Sequence, residues 1–307
     1  MTTFKFKTYP APKTGINWAW RWTLDNNAED TVDKKVKIFQ AMQDYAVTAP
    51  SNMALRMFTM PMYGGYEVSG VYWGSLADFN ATIAPLVNNL PQDGISDVRE
   101  YGFLELLVVL AGSVPLPQPE NYTEHNTFVS LPPPPPSSLL SIRVRAVVLK
   151  KPQFTKSIVS PTKLNSEALT SFFKFHGENA DKPPLSWWVL ADLYGGQYSE
   201  ISAQDSAGSS YYVRDSFFTF QLYSDLGGAT GTYPDWGFEL MGELSRSLTD
   251  KQPETKFHAY PNYVDPTLSP EEAHDLYYGT NYPRLKQLKG VYDPTLLLWN
   301  PQAIGTS

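Results

Sequence analysis

The stretch Ile16-Asn17-Trp18-Ala19-Trp20-Arg21-Trp22 sets four large apolar side chains on alternate positions, the period of a half-buried strand. Such a strand must bury one face against another layer, and the segments after it supply one. Val32, Val36, Phe39 and Met42 recur at helical spacing through Asp30–Val47. Strands follow over Met53–Met60 and Tyr66–Trp73, joined by a Gly64-Gly65 turn, and then a helix over Ser75–Leu90. Arg99–Ala111 is apolar and reads as a buried helix, and Thr162–Phe175 as a helix closed by Gly177. Leu185–Leu193 and Tyr211–Tyr223 read as strands and Asp235–Leu248 as a helix. Ser269-Pro270 is an N-cap with proline at the first helical position, opening a helix to Tyr278, and a short helix follows near Pro283–Lys289. This order predicts an α+β fold, an antiparallel sheet with helices packed on one side. Phe4–Tyr9 also alternates as a strand, yet nothing precedes it to pair with, which points to a missing upstream element.

Composition narrows the function. The chain has 307 residues, 42% hydrophobic and 14% aromatic, enough for a large core and far from a disordered tail. A net charge of −7 argues against a surface that tracks phosphates, so nucleic acid is not expected as a partner. No apolar run approaches the roughly 18 residues of a membrane span, and no signal peptide precedes the first strand. Cysteine is absent, which excludes disulfides, zinc-thiolate sites and thiol nucleophiles. Four histidines (His125, His176, His258, His274) lack metal-ligand spacing, so no metal site is expected.

Val129–Gln153 breaks the pattern. Five consecutive prolines, Pro132–Pro136, stand in a Ser/Leu-rich run that turns basic from Arg143. A polyproline linker is one reading. The other is translated intron: Val-Ser can arise from GTAAGT, a splice donor, and Gln from CAG, an acceptor end. A structureless loop of this length is uncommon inside a domain, which favours the intron. Asn80-Ala81-Thr82 and Asn121-Tyr122-Thr123 are glycosylation sequons.

Two segments carry candidate chemistry. In Leu185–Gly196, period two puts Trp188, Leu190 and Asp192 on one strand face, an odd place for a carboxylate if that face were plain core. In the tail, Tyr260-Pro261-Asn262-Tyr263-Val264-Asp265 is followed by Tyr277-Tyr278-Gly279-Thr280-Asn281-Tyr282-Pro283-Arg284-Leu285, then Lys289-Gly290-Val291-Tyr292-Asp293-Pro294 and Pro301-Gln302. These four elements, in this order, resemble the C-terminal signature of the berberine-bridge-enzyme-like FAD-linked oxidases. Excising 129–153 joins His125-Asn126-Thr127-Phe128 to Phe154-Thr155-Lys156-Ser157, which is similar to an internal motif of the same family. The Trp188/Asp192 strand ending in Gly195-Gly196 and the Phe218-Thr219-Phe220-Gln221 strand resemble its fungal oligosaccharide oxidases, such as the glucooligosaccharide and chitooligosaccharide oxidases.

The resemblance implies a flavin domain in two pieces around a substrate domain. Residues 1–10 would end the N-terminal FAD-binding piece. Residues 11–255 would form the substrate domain, and 256–307 the segment returning to the flavin. FAD is the implied cofactor, held covalently in the family through a histidine and a cysteine of the upstream half, so this chain alone is expected to be inactive and to expose apolar surface on its tail. Residue by residue, Tyr263 matches the catalytic base, Asp192 the carboxylate that hydrogen-bonds it, and Trp188 and Gln221 sugar-contacting positions. Leu190 stands where the glucooligosaccharide oxidases carry glutamine, which removes a polar contact to the sugar. Tyr260, Asn262 and Asn281 are flavin-side candidates. The implied reaction oxidises the C1 hydroxyl of a reducing-end sugar to the lactone, with O2 as acceptor and H2O2 as product. The parent would be secreted. An oxidase of a secondary metabolite or alkaloid, or a non-catalytic remnant, remains open. An anionic Asp192 would disfavour a tyrosinate at Tyr263, so a positive or flavin-derived field must offset it.

Overall fold

The computed structural model describes residues 9–110, 152–300 and 302–305. Seven strands form one antiparallel sheet: β1 (Thr14–Thr23), β2 (Met53–Met60), β3 (Gly65–Tyr72), β4 (Ile95–Gly102), β5 (Gln153–Ser160), β6 (Ser186–Leu193) and β7 (Phe218–Asp225). Their spatial order is β4-β1-β3-β2-β6-β7-β5. The helices are α1 (Thr31–Ala46), α2 (Leu76–Val87), α3 (Phe103–Leu110), α4 (Ser166–Glu178), α5 (Asp235–Thr249), α6 (Pro270–Tyr278) and α7 (Tyr282–Tyr292).

The alternation in each strand does what its period requires. Trp18, Leu55, Met57, Val68, Trp187, Val189, Phe220 and Leu222 are buried in one core with Phe39 of α1, Phe79 of α2, Phe172 and Phe173 of α4, and Leu244 of α5. Phe39 stacks on Phe220 at 5.9 Å, and Trp18 meets Phe79 at 6.0 Å. The opposite sheet face holds Arg56, Phe58, Trp188, Leu190, Asp192, Gln221 and Tyr223, none of them fully buried.

Three expectations shift. Arg99–Gly102 closes edge strand β4, and the helix starts only at Phe103, with Leu106 buried while Leu107 and Leu110 are 42% and 48% exposed. An apolar run without periodicity does not separate strand from helix, which is why the sequence misled there. The helix expected over Thr162–Phe175 begins at Ser166, because the Asn165 side chain accepts the Ala168 amide (2.7 Å), and it runs through Gly177 to Glu178. Tyr211–Phe217 is irregular, and its end is spent on capping neighbours: the Phe217 carbonyl accepts the amides of Tyr194 and Gly195. The strand expected over Phe4–Tyr9 and the excursion over Val129–Gln153 fall almost wholly outside the described residues. Of the latter, Pro152 and Gln153 are seen, and Gln153 opens β5.

Behind the sheet, Lys35 of α1 is buried without a carboxylate partner among the described residues. Its Nζ donates to Asn26 Oδ1 (2.9 Å) and reaches His176 Nδ1 at 3.5 Å. Thr59 gives its one hydroxyl hydrogen to the Gly65 carbonyl (2.9 Å), so His176 Nε2 is the donor to Thr59 Oγ1 (3.2 Å) and Nδ1 the acceptor. Burial pulls Lys35 down from 10.5 to about 8, and burial, then the Lys35 charge, pushes His176 well below its ordinary value. Between the two Lys35 values the unfolded chain holds a proton that the folded chain does not, so its contribution to stability rises with pH, by roughly 3 kcal/mol across that window. His176 acts in the same direction at acid pH: stability falls as pH drops below its ordinary range. Chemical denaturation across pH should show the alkaline rise in the wild type and not in Lys35→Met. Equal slopes in both would show that Lys35 keeps its ordinary affinity for the proton.

Candidate active site

Period two in β6 turns Trp187, Val189 and Ala191 into the core and Trp188, Leu190 and Asp192 to the other face. Register then decides their neighbours. Arg56 and Phe58 of β2 lie opposite Asp192 and Leu190, while Tyr223 and Gln221 of β7 lie opposite Trp188 and Leu190. Arg56 Nε donates to Asp192 Oδ1 at 3.0 Å. Trp188 stacks on Tyr223 (4.8 Å between ring centres, 18° between planes) and meets Phe58 at 5.7 Å.

The tail brings Tyr263 to this face by docking on β5. Val159 and His258 exchange backbone hydrogen bonds (2.7 and 3.0 Å), and the Tyr260 amide donates to Ser157 Oγ at 2.8 Å. Lys156 pairs with Asp265, whose side chain is only 3% exposed. Asp265 is the hub of the loop. Its amide donates to the Tyr277 hydroxyl (2.9 Å), its Oδ1 accepts from the Thr267 amide (2.9 Å), and its carbonyl accepts from Gln302 Nε2 (3.0 Å). Ser269 and Glu272 form a reciprocal capping box at the start of α6, which fixes the way out of the loop. Gly279 has φ +43°, and a Cβ there would stand 2.3 Å from the Tyr212 ring.

Tyr263 therefore arrives beside β7, and its hydroxyl donates to Gln221 Oε1 at 3.1 Å. This differs from the expected bond to Asp192, whose Oδ1 accepts from Arg56 across the β2–β6 pairing. Burial, then the negative charge of Asp192, holds Tyr263 above its ordinary value, and the Arg56 charge works against the rise. Burial also raises Asp192, with the Arg56 charge and hydrogen bond opposing it. Arg56 is a positive charge of the kind the sequence reading asked for, and it offsets only part of the rise. Charge within the apolar alternation of Met53–Met60 was a usable signal, the same one that marked Asp192. Phe58 and Tyr223 were hidden because aromatic residues in strands are ordinary core material.

Tyr260 packs its ring on Tyr263 (5.2 Å) and on Tyr211 (5.9 Å), and its hydroxyl accepts from Asn262 Nδ2 (2.9 Å). Asn262 is exposed next to Tyr263. Asn281 is not part of this group: its Nδ2 donates to the carbonyls of Ser206 and Ser209 (2.6 and 3.0 Å), tying the start of α7 to a loop. Among the described residues no cluster could hold a metal ion and no helix is long and apolar enough to cross a membrane.

Residues 259–305, the segment that delivers Tyr263, match the family model described as berberine and berberine like. Nearly the whole chain aligns with part of two longer proteins. It is 26% identical to the xylooligosaccharide oxidase of Thermothelomyces thermophilus over 99% of its own length and 55% of that protein's. It is 29% identical to an FAD-linked oxidoreductase of Metarhizium anisopliae, over 98% and 52%. Its tail carries a berberine-like segment, and over nearly its whole length the chain is similar to FAD-linked and oligosaccharide oxidases. Its fold agrees with the structure of a xylooligosaccharide oxidase from Myceliophthora thermophila in complex with xylobiose, at a TM-score of 0.75 and 25% identity over 97% of this chain and 57% of that one. The chain thus spans about half the length of the family members it matches.

The family uses FAD, and the residues here fit one side of it. A hydrogen-bonding phenol, Tyr263, and an exposed amide, Asn262, stand at the rim of an open, half-polar sheet face, a donor set suited to the edge of a flavin ring and the substrate before it. A cysteinyl link to a flavin has no residue in this chain. Of the histidines described, His176 is buried, His258 Nδ1 meets the Tyr212 hydroxyl and His274 Nε2 the Ala303 carbonyl.

Proposed function

We propose that this chain is the substrate-binding part of an FAD-linked oxidase that converts the reducing-end C1 hydroxyl of an oligosaccharide to the lactone. The carrying observation is that a tail loop and a sheet face far apart in sequence place Tyr263, Gln221, Asp192 and Arg56 in one group. Residues 11–255 supply the sheet face and 256–307 the tail that returns to the flavin. The run Val291, Tyr292, Leu297, Leu298 and Trp299, between 62% and 84% exposed, is the surface the flavin-bearing half would cover.

In this reading Tyr263 takes the proton of the C1 hydroxyl as the C1–H bond is broken. Gln221 holds the phenol in place and Arg56 lowers the cost of its anion. Asp192 keeps Arg56 on the sheet face, although its own charge opposes the tyrosinate. The hydride acceptor, and the path of its electrons to O2 with H2O2 as product, are what bound FAD supplies. Asn262 and Tyr260 would stand on the flavin side. The oligosaccharide oxidases among the relatives support the substrate. One observation favours a second reading, a less polar secondary metabolite: Leu190 lies opposite Phe58 and places an apolar pair beside the group.

The test is to join this chain to the flavin-bearing half of a relative and follow flavin colour without oxygen. Xylo-, cello- and chito-oligosaccharides should bleach it, and their alditols, which lack the lactol, should not. Bleaching by apolar alcohols alone would establish the second reading, and no bleaching by any alcohol would end both.

A further inference from the structure

The two edges of the sheet are not alike. At β5 the tail covers the outer side: Val159 and His258 exchange backbone bonds, and Ser157 takes the Tyr260 amide. At the other end β4 has β1 on one side and no strand on its outer side among the described residues. A bare edge offers a row of unpaired amides and carbonyls, and proteins ordinarily guard such rows with proline, lysine or a bulge. Ile95–Gly102 has neither proline nor lysine, and it pairs with β1 in unbroken register from Arg21↔Ile95 to Thr14↔Gly102. One row of cross-strand neighbours runs Asp97, Ala19, Ser69, Arg56, Asp192, so Asp97 lies on the open face of the sheet. Period two puts Ile95, Arg99 and Tyr101 there with it, and Ser96, Val98 and Glu100 on the other face, where Val98 packs against the core.

The order of side chains along this edge is complementary to itself. A second copy of β4, turned about a two-fold axis at Val98, runs antiparallel to the first. Asp97 then lies opposite Arg99 of the second copy, Ser96 opposite Glu100 and Ile95 opposite Tyr101, and each pair forms twice. Opposite charges, a hydroxyl with a carboxylate, and a β-branched side chain with an aromatic ring are all favourable cross-strand pairs. A slip of two residues sets Asp97 on Asp97 or Arg99 on Arg99, and a slip of one sets open-face side chains against core-face ones. Within one copy Arg99 Nε donates to Asp97 Oδ1 at 2.8 Å, with the side chains 66% and 40% exposed. Such an exposed pair contributes little alone, but two of them face to face close a ring of four charges, and a guanidinium has more donors than one carboxylate uses. Helix α3 leaves β4 at Gly102 with Leu107 and Leu110 exposed, at the end of the edge where Ile95 of the second copy, itself 74% exposed, would arrive.

We propose that β4 is a dimerisation edge: two copies of this chain join by antiparallel β4–β4 pairing about Val98, which makes one continuous sheet of twice seven strands. The contact is closed, because each copy uses its free edge once. Strands β4 and β7 are five strand spacings apart, so the two Tyr263 groups would stand on the order of 50 Å from each other. The dimer is therefore remote from the candidate reaction centre, and it stands or falls independently of the oxidase reading.

Sedimentation velocity of the 307-residue chain across a dilution series tests this. The wild type should pass from monomer to dimer as its concentration rises. Arg99→Asp and Asp97→Arg each set like charges across the axis, and each should weaken the dimer by at least about tenfold. An equal mixture of the two variants should restore it, because the acidic edge of one then faces the basic edge of the other. A second arm does not depend on how the charge variants fold. The chain has no cysteine, so Val98→Cys can meet only its own copy. Mild oxidation should cross-link Val98→Cys, and should leave Ser96→Cys, which lies opposite Glu100, as a monomer. A wild type that stays monomeric at every concentration overturns the proposal. So does a dimer unmoved by both charge reversals, which is what association through the exposed run at Trp299 would give. A mixture of folded variants that does not recover, or a Val98→Cys chain that cross-links no faster than Ser96→Cys, overturns it as well.

Discussion

Tyr263→Phe in the flavin-complete protein is expected to slow anaerobic flavin reduction by about 10²–10⁴-fold, the usual worth of general-base assistance. Sugar affinity should change little, because the hydroxyl is needed as the proton leaves rather than as the sugar binds. The neighbouring charges give the role a signature that packing alone would not produce. Arg56 pulls the Tyr263 phenol down and Asp192 pushes it up. A base must lose its proton to act, so the rate should rise with pH through the Tyr263 titration. Arg56→Met should move that rise to higher pH, and Asp192→Asn should move it to lower pH. In the Tyr263→Phe background both shifts should vanish, since the titrating group is gone. Stopped-flow reduction over a pH series measures the wild type, the three single variants and the two double variants. Near-normal reduction in Tyr263→Phe would leave the residue as aromatic packing against Tyr260.

The second large effect concerns the loop that carries Tyr263. Lys156→Met removes the partner of a carboxylate that is almost fully buried. An unpaired charge left in such a place typically costs about 3–5 kcal/mol. The cost should fall on the tail, because Asp265 holds that loop through Tyr277, Thr267 and Gln302 as well. Hydrogen exchange should therefore accelerate over 259–278 in Lys156→Met, while the Phe39/Phe173 core on the far side of the sheet stays protected. Lys156→Met combined with Asp265→Leu should regain part of the loss, since two apolar groups replace the pair without a stranded charge. Unchanged exchange over 259–278 would mean that the backbone bonds at Val159 and Tyr260 hold the tail alone.

The motif Phe154-Thr155-Lys156-Ser157 gains a physical meaning from this docking. Its lysine and serine face the tail: Ser157 accepts the Tyr260 amide and Lys156 pairs with Asp265. The two sequence elements that pointed to the family, one before the sheet's last strands and one in the tail, are the two halves of a single latch. Strand β5 lies at the sheet edge, next to β7, and docking there sets Tyr263 beside Gln221.

Local patterns in the sequence determined the strands around Trp18, Met57, Val68 and Trp187, the helices that cover them, and the cap at Ser269. They also determined that Trp188, Leu190 and Asp192 share a face, because side-chain direction in a strand follows from period two alone. The pattern failed where periodicity was absent, in the apolar run from Arg99, and where backbone groups were spent on capping neighbours, from Tyr211 to Phe217. Only the tertiary structure decided who stands across from whom. Arg56 meets Asp192 from 136 residues away, Tyr223 stacks on Trp188 while Phe58 meets it at a tilt, and Tyr263 bonds Gln221 rather than Asp192. Strand order and register are properties of the whole sheet, fixed by the summed burial of all seven strands, and no single segment contains them.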